Sequence, residues 1–230
     1  KGQSEKSSWI VRKLKGWVYR EAEKYKEAVE VYEDVIARIQ RDDRLKKPQQ
    51  EEFINGIRYT LSGLYVDMKK LDKAGEILKT LMKAEPENAT YPNDLGFIWA
   101  DHDMNLDEAE KLIRKALELD KKERGKSPSF LPNAAYLDSL GWVLYKKKKY
   151  KEALKYLKEA VEQEEGRHAE IYDHLGDTYL ALGQVKQALE TWKKAAEQKP
   201  LSKRDEKRIK SVKEKIKKHS ESNKGGVVSP

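Results

Sequence analysis

A pair of short sequence patterns recurs five times along this 230-residue chain, and the recurrence restricts the fold more than any other feature. The segment LDSLGWVLY at 137–145 is repeated as YDHLGDTYL at 172–180 and NDLGFIWA at 93–100. Weaker copies are YTLSGLYV at 59–66 and LKGWVYR at 14–20. About a dozen residues after each comes an alanine inside an amphipathic stretch. These stretches are 25–35, 71–81, 106–117, 150–161 and 185–196. A fixed internal period of this size is the signature of a stacked repeat architecture.

The last copy shows the physics of one unit. Leu175, Gly176 and Tyr179 fall on one face of a helix, and the absent side chain at Gly176 lets a second helix come close. Ala188, Trp192 and Ala195 recur at four and three residues and mark the facing stripe. Leu182, Gly183 and Gln184 form the turn, and Pro200 closes the unit because it cannot continue a helix. One such hairpin cannot bury both of its faces, whereas a stack can.

The residues that carry this pattern resemble the tetratricopeptide repeat (TPR) family, whose 34-residue unit has Trp-x-x-Leu-Gly-x-x-Tyr in its first helix and Ala-x-x-x-Phe in its second. The last unit matches with Tyr172, Leu175, Gly176, Tyr179, Ala188, Trp192 and Pro200. The fourth has Leu137, Leu140, Gly141, Leu144, Ala153 and Leu157. The third has Leu95, Gly96, Trp99, Ala109 and Ile113, and the second has Leu61, Ser62, Tyr65, Ala74, Leu78 and Pro86. The first keeps Gly16, Tyr19, Ala28 and Tyr32 but places Lys15 where leucine is usual. The resemblance implies an all-α fold, a right-handed α-α superhelix (TPR solenoid) of about five helix pairs plus a C-terminal capping helix.

The expected units are 8–41, 48–86, 89–124, 133–165 and 168–200. Two spacings exceed the period. Gly16 to Ser62 is 46 residues, and Pro48 in that excess predicts a helix lengthened at its start. Gly96 to Gly141 is 45 residues, with one extra residue in the 101–106 turn and the rest in 121–133, which reads as a projecting loop. Ser202 and Asp205 predict the start of a capping helix over 201–218, with Ile209, Val212 and Ile216 as a thin apolar stripe. Residues 219–230 read as a disordered tail, and 121–132 and 219–230 as the most mobile segments.

Composition narrows the function. The chain contains no cysteine, which removes thiol nucleophiles, disulfides and thiolate metal sites. The four histidines, His102, His168, His174 and His219, have no helical pair spacing, and no Walker, Gly-x-Gly-x-x-Gly or Gly-x-Ser-x-Gly motif occurs. The DHDMNLDE run at 101–108 fails as a calcium loop because Leu106 and Leu112 stand where glycine and glutamate are needed. The expectation is a chain that is not an enzyme and uses no cofactor. No apolar run is long enough to span a membrane. The net charge of +8 is concentrated in 201–230, where ten Lys and Arg face four Asp and Glu, so nucleic-acid binding is disfavoured for the repeat body. The first residue, Lys1, suggests an excised or processed piece of a longer protein.

In the TPR architecture, resemblance implies that the first helix of each pair lines a concave groove. The stripe is Lys13, Trp17 and Arg20, then Tyr59, Gly63 and Val66, then Asn93, Phe97 and Ala100 beside Asp101. It continues with Asp138, Trp142 and Tyr145, and with Asp173, Asp177 and Leu180. The candidate peptide-binding residues are Asn93, Phe97, Asp101, Asp138, Trp142, Tyr145, Asp173 and Asp177; the alternative for the rings is packing between neighbouring first helices. Acids and rings together select a basic partner with apolar anchors, and the 201–218 segment of a neighbouring copy is one candidate. TPR domains that clamp C-terminal carboxylates use Lys, Asn and Arg at these places, so such a clamp is argued against. The function expected is a protein-interaction scaffold. The alternatives are a docking module inside a larger bacterial enzyme or envelope assembly, and nucleic-acid binding through the basic C-terminal helix. The wording of the repeats is similar to bacterial TPR adaptors. The compartment, cytoplasmic or periplasmic, is left open.

Overall fold

The computed structural model describes residues 2–125 and 130–224, with side chains from Trp9 to Glu221. It forms two compact units, Lys1–Tyr91 and Pro92–Pro230. Among the described residues there are eleven α-helices, one 3-10 turn and no strand.

Unit 1 contains α1 (Gly2–Glu21), α2 (Tyr25–Gln40), α3 (Lys47–Asp67) and α4 (Leu71–Ala84). Helix α1 begins at Gly2, six residues before the expected edge of the first repeat. As Pro48 predicts, α3 is long, at 21 residues, and the backbone N–H of Lys46 donates to Gln49 Oε1 at 3.1 Å across its first turn. The core of unit 1 joins Ala28, Tyr32, Val35 and Ile39 of α2 to Ile57, Leu61 and Leu64 of α3 and Ala74 of α4.

Helix α5 (Thr90–Asp101) begins at the unit boundary and runs into unit 2. Unit 2 continues with α6 (Leu106–Arg124), α7 (Ala134–Lys146), α8 (Tyr150–Glu162), α9 (Ala169–Ala181), α10 (Val185–Glu197) and α11 (Lys203–Lys224). The close approach expected at the repeat glycines is present. A Cβ on Gly141 would lie 2.5 Å from Leu157 Cγ, so α7 and α8 touch there only because Gly141 lacks one. The core passes from Ala109 and Ile113 through Leu137, Leu140, Leu144, Ala153 and Leu157 to Leu175. A second cluster of Ala188, Trp192, Ala195 and Val212 seals α10 against α11.

Each pair closes with the same turn. The N–H of Lys70 donates to Tyr65 O and that of Lys69 to Val66 O, and the same two bonds recur from Lys149 to Leu144 and from Lys148 to Tyr145. These are Schellman bonds, which place one residue in the left-handed region. Glycine suits that position, yet only Gly183 supplies it; Glu23, Lys69, Asp103 and Lys148 adopt positive φ instead. The extra residue expected in the 101–106 turn is Asn105, also left-handed at φ 43°.

Two expectations at the edges of elements change. The segment 121–133 is not loop throughout, because α6 continues to Arg124. Asp120 explains why: it accepts from Arg124 Nε at 2.6 Å and from the backbone N–H of Asn133 at 3.1 Å, tying the helix end to the start of α7. The cap does not end at 218 but continues as helix to Lys224. Ser202 caps it as expected, accepting from the Asp205 N–H at 3.2 Å. Residues 126–129 and 225–230, which carry part of the expected mobile loop and tail, lie outside the described residues.

Candidate peptide-binding groove

All eight candidate residues lie in unit 2, on first helices. Asn93, Phe97 and Asp101 stand on α5, Asp138, Trp142 and Tyr145 on α7, and Asp173 and Asp177 on α9. Phe97, Asp101, Tyr145 and Asp177 are half-buried; the other four are buried.

Their centre is a residue that the groove stripe does not include. His174 is 1% exposed, and its Nδ1 is 2.8 Å from Asp138 Oδ1. Trp142 stacks on this imidazole at 4.0 Å and 12°, and on Tyr145 at 4.8 Å and 5°. The indole Nε1 of Trp142 donates to Asp101 Oδ1 at 3.2 Å, and Phe97 tilts toward His174 at 6.2 Å. Helices α5, α7 and α9 are thus joined by one polar and aromatic chain. His174 Nε2 and Asn93 Oδ1 are buried without a hydrogen-bond partner among the described residues. Burial opposes a charged imidazole, but the charge and hydrogen bond of Asp138 outweigh it and hold His174 above its ordinary pKa. The one available signal in the sequence is position, since His174 occupies in the fifth unit the place of buried Ser139 in the fourth.

The acids of α9 are engaged within the chain itself. Lys215 of α11 donates to Asp173 Oδ1 at 2.7 Å and to Asp177 Oδ1 and Oδ2 at 2.7 and 2.8 Å. Arg208 reaches Asp173 at 3.3 Å and also bonds Glu170. Arg208, Val212 and Lys215 are spaced by four and three residues, so the buried valine and the two cations share one face of α11. Burial, reinforced by the neighbouring Asp173 charge, raises the Asp177 pKa even though Lys215 pulls it down. The 201–218 segment, one candidate partner when taken from a neighbouring copy, thus engages these acids in cis.

The unit 1 stripe is different. Trp17 is 55% exposed and Tyr59 is exposed, while Arg20 reaches Asp67 at 3.4 Å. Val66 packs half-buried against the core.

Comparison with known proteins identifies this architecture. Tetratricopeptide repeat family models match residues 144–216, 105–170 and 13–47, and the chain belongs to that family. Its fold class is the all-α TPR solenoid, which serves as a scaffold for protein–protein interaction. Over 129 residues it is 32% identical to the TPR repeat-containing protein PA4667 of Pseudomonas aeruginosa, covering 56% of this chain and 20% of that protein. The chain thus spans a fifth of the length of that bacterial relative. Among solved structures, the thermophilic TPR protein TTC0263 of Thermus thermophilus has a TM-score of 0.61 at 20% identity, covering 89% of this chain and 98% of that one. A TPR protein of Parabacteroides merdae has a TM-score of 0.64 at 17% identity, covering 91% and 71%. BtubC of P. vanneervenii has a TM-score of 0.60 at 21% identity, covering 86% and 78%. In the described residues no helix is long and apolar enough to cross a membrane.

Proposed function

We propose that this chain is a non-catalytic scaffold whose unit 2 groove binds a protein segment carrying basic and apolar residues. The observation that carries the reading is the braced wall of Phe97, Trp142, Tyr145 and His174 with Asp101 and Asp177 at its half-open edge. Phe97 and Tyr145, half-buried and braced by the buried Trp142 and His174, lose little conformational freedom on binding, which makes them suitable anchors. Burial, with the neighbouring Asp173 charge, raises the Asp177 pKa, and a cation brought to the half-buried edge of this carboxylate would favour its charged form. Arg208 and Lys215 already hold Glu170, Asp173 and Asp177, so a basic partner supplements or competes with α11. The same pairs weaken the case for nucleic acid on this face of α11.

The test is recovery of partners from a bacterial lysate, quantified by mass spectrometry, with the wild-type chain and with Tyr145→Ala combined with Asp101→Lys. Proteins bound by the wild type should be depleted from the double variant. Equal recovery by two equally folded chains refutes the groove.

A second reading, a docking module within a larger assembly, draws support from the Pseudomonas relative, of which the matched segment is a fifth. Self-association remains part of the proposal only through α11, whose basic face is already held in cis.

A further inference from the structure

Nine large apolar side chains stand exposed among the described residues, and five of them, Ile10, Val11, Leu14, Trp17 and Val18, occupy one short stretch of α1. Single exposed apolar residues are ordinary, but a cluster of this kind marks an interaction surface. Ile10, Leu14 and Trp17 follow one another at four and three residues and so form a ridge on one helix face. With Lys13, Arg20, Tyr32 and Thr60 they line a cleft of about 590 Å³ within unit 1.

The charges lining this cleft are all positive. Lys13 forms no ion pair among the described residues, and Arg20 commits one nitrogen to Asp67 at 3.4 Å while its side chain stays 39% exposed. No carboxylate belongs to the lining. Lys15, on the same helix, lies 5.4 Å over the Tyr19 ring.

We propose that this cleft docks an amphipathic helix of another protein, with apolar residues at one-turn spacing flanked by carboxylates. A ridge at helical spacing beside a concave wall receives a rod-shaped partner by interleaving side chains. Lys13 and Arg20 set the sign of the flanking charge and speed encounter. A second copy packed cleft to cleft would bring the Lys13 and Arg20 charges of both copies into one interface with no carboxylate in the lining to offset them. A bilayer surface would fit Ile10, Val11 and Trp17 on an isolated helix but cannot follow a concavity walled by Tyr32 and Thr60. The site is made of unit 1 residues alone and selects the opposite charge to the groove proposed in unit 2.

The experiment is selection of a displayed library of helical peptides, randomised on one face, against the whole chain. Selected peptides should carry net negative charge and apolar residues at one-turn spacing. Their affinity should fall about tenfold or more in Trp17→Ala and several-fold in Lys13→Glu, with melting temperatures unchanged. Tyr145→Ala, in unit 2, should leave them bound, which separates this proposal from the groove reading. Enrichment of basic peptides, no enrichment at all, or undiminished binding to Trp17→Ala and Leu14→Asp overturns it. So does a concentration-dependent dimer, or binding to phosphatidylserine vesicles, that Leu14→Asp abolishes.

Discussion

Units 1 and 2 use the same helix-pair grammar but differ in how much of the first-helix face is left available. In unit 2 the acids are largely satisfied within the chain, with Asp138 on His174, Asp101 on Trp142, and Asp173 and Asp177 on Lys215. In unit 1 the corresponding face of α1 leaves Trp17 and Leu14 more than half exposed beside unpaired Lys13. The repeat pattern thus sets where side chains stand, while the neighbouring helices determine whether they are available. A groove rich in functional-looking residues can be partly occupied by its own chain, and a plainer one can be open.

The largest difference should come from a charge reversal in each unit. Lys215→Glu puts a third carboxylate between Asp173 and Asp177, where buried partners are left unpaired, and should destabilise the protein by about 3 kcal/mol. Lys13→Glu, on the open cleft, should change stability by no more than about 0.5 kcal/mol. Thermal unfolding of both variants checks the pair, and equal losses would mean that the two faces are equally closed.

Glycines should divide in the same way. Gly141→Ala drives a methyl group into Leu157 and should cost about 1–3 kcal/mol. Gly56, inside α3 of unit 1, has open space within 4 Å of its added Cβ, so Gly56→Ala should stabilise by about 0.5–1 kcal/mol. Denaturant midpoints at constant slope measure both signs.

The pH response should come from unit 2, which holds all four histidines. His174 has a folded-state pKa above its ordinary value of 6.5, so its protonated form stabilises the fold. That contribution is complete below 6.5 and is lost as pH rises through the raised value. Unfolding free energy should therefore decline as pH rises from 6.5 into the alkaline range, and Asp138→Asn should remove this decline. An unchanged slope in Asp138→Asn would show that the pair is not the sensor.

The smallest effect should be common to both units. Lys69→Gly and Lys148→Gly replace strained left-handed residues at φ 58° and 61°, and each should stabilise by about 0.5–1 kcal/mol. Differential scanning calorimetry checks whether the two gains match.

The helices, their pairing and their stacking stripes are all legible in the sequence. They depend on the 3.6-residue period, on small residues at Gly141 and Ala188, and on breakers such as Pro200, all of which act locally or between successive helices. The capping role of α11 is legible for the same reason, from Ser202 and the Ile209–Val212–Ile216 stripe. What occupies the acids is a matter of tertiary structure alone. Lys215 meets Asp173 across 42 residues and His174 meets Asp138 across 36, and each pairing depends on helix phase and side-chain reach. No local period encodes those quantities, because a rotation of α11 by one residue would turn Lys215 about 100° away from Asp173 while leaving the helix equally stable on its own.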